Sequence, residues 1–323
     1  MLSDTVFLLF LVIKMSILKI AIILTVLFHD LYCSAGDKDP QFRACVRNCM
    51  VKCGEKILLS WGCRGDCEYH CMFLITEERT KLGYGIYQYY GKWPFYRLFG
   101  VIQEPASFFF AIMNFVSQLM GWYHYTSLIN PRFKFYSLAK AQFLINSFAW
   151  LCATIFHARD TYWTEKFDYF SAALVLAISM FTCFSHIAGT FHSFKVILLG
   201  LLLVIVFSFH IFYMAFIHFD YGLNMKFLLL SGIINVFLWL AWSWYCRKRR
   251  PVGKCVLTMI LTLTLASLEV FDFPPIFWIF DSHSLWHLST IPIPYIWFTF
   301  LAEHALNDQL KLQYDCVYFV KNK

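Results

Sequence analysis

Charge is what this sequence lacks. Only 15% of its 323 residues are Asp, Glu, Lys or Arg, against about 25% in ordinary soluble domains. With 59% of the chain hydrophobic and 20% aromatic, one water-facing globule of this size cannot hide its apolar surface, which excludes a soluble enzyme or binding module. There is no basic helix and no aromatic-basic motif, so the formal net charge of +7 points to membrane topology rather than to nucleic acid. C-x-x-C pairs are also missing, and with them the tight spacing common in zinc-binding cysteine sites.

What is present is a set of apolar runs near the length of a bilayer span. They predict an all-α membrane protein with seven transmembrane helices, near residues 101–121, 137–157, 168–186, 194–215, 226–246, 254–271 and 285–303. Ahead of them, residues 20–28 form a short apolar core behind Lys14 and Lys19, and small residues end at Ala35. That pattern predicts a cleaved signal peptide over 1–35, and the two lysines disfavour an uncleaved anchor over 5–28. The predicted division is then a luminal Cys-rich segment over 36–98, a helical domain over 99–305 and a cytosolic tail over 306–323.

The luminal segment carries Cys45, Cys49, Cys53, Cys63, Cys67 and Cys71, two triplets each spaced by four. An even count in a secreted segment predicts disulfides between two short helices. Alternating the seven spans from a luminal N-terminal side places Arg132, Lys134, Lys140, Lys195, the cluster CRKRRPVGK at 246–254, and Lys311, Lys321 and Lys323 all on the cytosolic side. This is what the positive-inside rule requires.

The same topology collects polar groups on the luminal face. His157 falls at the luminal end of the second predicted helix, Asp168 at the start of the third, and His283 and His287 at the start of the seventh. Ionisable groups in such places are functional candidates. His283 and His287 are at i and i+4, so they share one helix face. Together with His157 they make three ligands for a catalytic Zn2+ with one open position. Asp168 is the expected base, with Asp160 or Glu165 as its substitutes. Asp281 is expected to hold an imidazole tautomer. His186, His192 and His304 map near the cytosolic face and need no such role. A water-activating metal at a membrane surface suits a lipid ester or amide.

Specific stretches add to this. GKWPF (91–95), QEPAS (103–107), FHARDTYWTEKFDYF (156–170), FDYG (219–222) and LEVFDFPPIFWIFDSHSLWHLSTIP (268–292) resemble the Per-like family of post-GPI-attachment factors, over roughly residues 36–305. That family is grouped with alkaline ceramidases and progestin/adiponectin-type receptors. The resemblance implies a seven-helix zinc hydrolase that removes the sn-2 acyl chain from the lipid of GPI-anchored proteins, in the membrane of the endoplasmic reticulum or Golgi. It implies His157, His283 and His287 as zinc ligands, with Asp168 and Glu104 as catalytic carboxylates. One departure stands out: Ala153 occupies the position where the superfamily has a serine, four residues before the first histidine. Thr154, three residues before His157, is the expected replacement donor. Two alternatives follow, a ceramidase-like amidase and a non-catalytic zinc-containing receptor or cargo factor.

Overall fold

The computed structural model describes residues 35–53, 61–248 and 251–321. The predicted signal peptide, up to residue 34, lies outside the described residues. The first two described helices are α1 (Pro40–Lys52) and α2 (Gly62–Lys81). Asp39 caps α1, its carboxylate accepting from Gln41 N at 2.7 Å, with Pro40 in the first turn where its missing N–H is harmless. The disulfides are nested: Cys45–Cys71, Cys49–Cys67 and Cys53–Cys63. Spacing by four puts each triplet on one helix face, and antiparallel packing pairs first with last. Phe42, Cys71, Ile75 and Tyr89 form the small core of this hairpin.

The bundle follows as α3 (Pro105–Leu128), α4 (Tyr136–Ala158), α5 (Tyr162–Ala188), α6 (Phe194–Phe212, continued by a π-helical turn Tyr213–Ile217), α7 (Tyr221–Cys246), α8 (Gly253–Phe271), α9 (Ser282–Thr290) and α10 (Pro292–Lys321). Helices α3, α4, α5, α7, α8 and α10 pack in a closed ring, while α6 lies against α5 and α9 fits between α3 and α8. Trp239, Trp242, Trp297, Phe298 and Phe300 fill the centre.

Among the described residues, four helices are long and apolar enough to cross a membrane: α4, α5, α6 with its π turn, and α7. The chain is an all-helical membrane protein. Helix α3 buries Asn114, Ser117 and Gln118, and these polar groups dilute its apolar run. Helix α8 carries two charged residues, Lys254 and Glu269, in a largely apolar sequence. The expected seventh helix over 285–303 is two helices, because Pro292 cannot donate to the carbonyl four residues back and its ring crowds it. The expected tail from 306 continues α10 as helix to Lys321.

The third expected helix also starts earlier than read from the sequence. Thr161 caps it in a reciprocal box with Thr164, so Asp168 lies nearly two turns inside α5 rather than at its start.

Candidate metal centre

Three local devices bring the histidines together. His157 is in the last turn of α4, and the backbone entering α3 is tied to that turn by Gln103 N to Ala158 O and Glu104 N to His157 O, both 3.0 Å. Asp281 caps α9: its carboxylate accepts from Ser284 N at 2.8 Å, and Ser284 Oγ accepts from Asp281 N at 2.9 Å. This sets the first turn of α9, and His283 and His287 project from it. Asn114 Nδ2 of α3 donates to His287 O at 2.7 Å, fixing the depth of α9 in the bundle.

The result is a convergence of ring nitrogens. His157 Nε2 lies 3.1 Å from His287 Nε2 and 3.4 Å from His283 Nε2, and the latter two are 3.1 Å apart. Among the described residues this is the one group of ligand atoms close enough to hold a metal ion. Tetrahedral zinc with nitrogens at about 2.0–2.1 Å requires ligand separations of about 3.3 Å, which these distances match.

The far sides of the rings fit the same ion. His157 Nδ1 is 2.7 Å from Glu104 Oε2, and His283 Nδ1 is 2.7 Å from Glu269 Oε2. A carboxylate can only accept there, so both Nδ1 atoms carry the proton and both Nε2 lone pairs face the shared centre. Two inward lone pairs repel unless a cation lies between them. The residues fit a zinc ion.

The other expected residues are placed as follows. Asp168 lies within electrostatic range of His157 and His283, and among the described residues no protein hydrogen bond reaches its carboxylate. Glu104 stands behind His157, an orienting position. Asp281 caps a helix; the tautomers are held by Glu104 and Glu269 instead. Asp160 is taken up in an ion pair with Lys92, and Glu165 lies one turn before Tyr169 on α5. Ala153 is buried. Thr154 Oγ1 donates to Trp150 O at 2.7 Å, so its single proton is directed at its own helix and not at the histidines. Sequence reasoning missed Glu269 and Lys92. A carboxylate in the apolar stretch of α8 was the available signal for Glu269; nothing local marked Lys92.

The model of the Per1-like family matches residues 54–305 of this chain. The chain belongs to the Per1-like family. A zebrafish (Danio rerio) member, "GPI-specific phospholipase A2-like PGAP3", is 37% identical over 289 residues, covering 85% of this chain and 91% of its own. The human (Homo sapiens) protein of that name is 36% identical, covering 84% and 90%. A Drosophila melanogaster relative, "Post-GPI attachment to proteins factor 3", is 32% identical over 88% of this chain and 93% of its own. No solved structure matches.

Proposed function

We propose that this chain is a zinc-dependent acyl ester hydrolase that removes the sn-2 chain from the lipid of GPI-anchored proteins. It acts in the endoplasmic reticulum or Golgi membrane as a seven-span protein with its histidine centre on the luminal face. The convergence of three imidazole Nε2 atoms within 3.4 Å carries the reading. The printed names of the relatives support the substrate class and the ester chemistry.

His157, His283 and His287 would hold the ion, which supplies Lewis acidity toward a carbonyl and toward water. Glu104 and Glu269 keep both imidazoles presenting Nε2. Asp168 accepts the proton of the attacking water at a carboxylate oxygen and returns it to the leaving alcohol. The bundle keeps the acyl chain in an apolar setting while the ester reaches the centre.

A second reading is favoured by one observation. Ala153 has no hydroxyl and Thr154 donates to Trp150 O, so neither offers a donor to an oxyanion, a loss worth about 10²–10³ in rate. On that reading the protein binds zinc and handles GPI cargo without hydrolysis, and Ala153→Ser gains a hydrolysis that wild type lacks. The test is lipid mass spectrometry of a GPI-anchored reporter in cells without their own remodelling activity. Wild type is expected to convert the diacyl anchor to the lyso form, and Asp168→Asn is not. An unchanged anchor with wild type, with a zinc-loaded protein, supports the non-hydrolytic reading; cleavage of ceramide instead supports an amidase.

A further inference from the structure

We infer that the turn 88–93 is a positioning clamp for the histidine centre, joining the disulfide hairpin to the carboxylates behind His157 and His283. This rests on the reading that those histidines hold a metal.

The turn is rigid. Tyr89 N donates to Lys92 O at 2.7 Å and Lys92 N to Tyr89 O at 3.0 Å, with Tyr90 at φ 53° and Gly91 at φ 79° between them. Two successive positive φ values make the tight reversal of a two-residue hairpin loop. Tyrosine rarely adopts that backbone, so the turn keeps this shape against a local preference.

One face of the turn belongs to the hairpin. Tyr89 is buried against Phe42, ring centroids 4.8 Å apart, and its hydroxyl is 3.3 Å from Thr76 Oγ1. Gln88 O accepts from Gly36 N at 3.0 Å. A Cβ at Gly36 would meet Gln88 O at 2.6 Å, so this approach requires glycine. The disulfides therefore fix where the turn stands.

The other face reaches the centre along two routes. Lys92 Nζ pairs with Asp160 and lies 3.9 Å from Glu104 Oε1, the carboxylate that holds His157. Trp93 Nε1 donates to Asp272 Oδ1 at 2.7 Å, and Gln88 Nε2 to Asp272 Oδ2 at 2.6 Å. Asp272 ends α8 in the left-handed region at φ 34°. It stands three residues beyond Glu269, the carboxylate that holds His283. Both carboxylate–histidine pairs are thus anchored to one turn. Such contacts, partly exposed, contribute little stability on their own. Their effect is geometric, since outer partners of metal ligands typically change metal affinity 10–100-fold. Lys92, Trp93 and Glu269 are positioning residues.

The test uses the purified full chain loaded with zinc, and follows the rate at which a chelator removes the metal. Lys92→Met, Trp93→Phe and Glu269→Gln are each expected to speed zinc loss by about tenfold or more. Lys92→Arg, which keeps the cation, is expected to stay near the wild-type rate. Non-reducing mass spectrometry should find all three disulfides intact in every variant. If Lys92→Met does not fold, Trp93→Phe, which removes the Nε1 donor and keeps an aromatic side chain, decides. Zinc loss at the wild-type rate in Trp93→Phe and in every folded Lys92 variant overturns the clamp while the metal reading stands. Wild-type protein that binds no zinc overturns the metal reading, and the clamp with it.

Discussion

Among the described residues, histidines gather at two places in the bundle, and the two differ in kind. One is the His157, His283 and His287 centre. The other pairs His186 of α5 with His304 of α10, ring centroids 4.9 Å apart. His186 lies 18 residues beyond Asp168 on the same helix, about 27 Å along its axis at 1.5 Å per residue. The clusters therefore stand at opposite ends of the bundle. In the second, the rings meet aromatic faces: Phe135 stacks on His186 at 4.6 Å, and Trp242 lies 5.4 Å from His304. His186 Nδ1 donates to Thr182 O at 2.8 Å, a backbone partner on its own helix. In the first, nitrogens meet nitrogens and carboxylates stand behind two of the rings. Burial alone does not make a histidine a ligand. Convergence of Nε2 atoms, with the protons held on the far side, is the arrangement a metal ligand set requires.

That contrast breaks first under truncation. His157→Ala, His283→Ala and His287→Ala are each expected to remove most of the bound zinc, whereas His304→Ala keeps it and loses only stability. Metal analysis of the purified proteins decides; equal zinc in all four would erase the distinction between the ends. The carboxylates sharpen it next. Asp168→Asn is expected to keep zinc and lower turnover by about 10²–10⁴, the usual contribution of a general base. Asp308, one turn beyond His304 and 3.3 Å from Lys134, belongs to the second cluster. Asp308→Asn should leave turnover per folded chain unchanged, as measured by fatty acid release.

The threonines are predicted to separate the ends least. Thr154 and Thr182 precede a histidine of each cluster, and each donates to the carbonyl four residues back at 2.7 Å. Thr154→Val and Thr182→Val should both leave turnover within a few-fold of wild type, because each hydroxyl serves its own helix. A large loss at Thr154 alone would show that its hydroxyl turns toward substrate.

The sequence made part of this legible. Spacing by four exposed the cysteine triplets and the His283/His287 pair, since a helix places such residues on one face. Apolar runs located the helices because burial and lipid select the same residues. What stayed hidden depends on partners distant in the chain. Glu269 reaches His283 across the α8–α9 loop, and Lys92 reaches Glu104 from a turn outside the bundle. Neither pairing has a period. Asp281 was misread because a capping carboxylate and an imidazole-holding carboxylate look alike before the fold shows which partner is in reach. The unbroken seventh helix was misread because tryptophan and isoleucine around Pro292 extend the apolar run past a residue that must interrupt it.

A three-histidine centre that cleaves an acyl ester through a bound metal must lose its activity when the metal leaves. The most direct test is fatty acid release from a GPI-anchored substrate by the purified chain, with zinc per chain counted in the same sample. Measurements are made before chelation, after it, and after zinc is restored. The expected result is about one zinc per chain, activity lost with the metal and regained with it. Fatty acid release that persists after the zinc is gone would contradict the account.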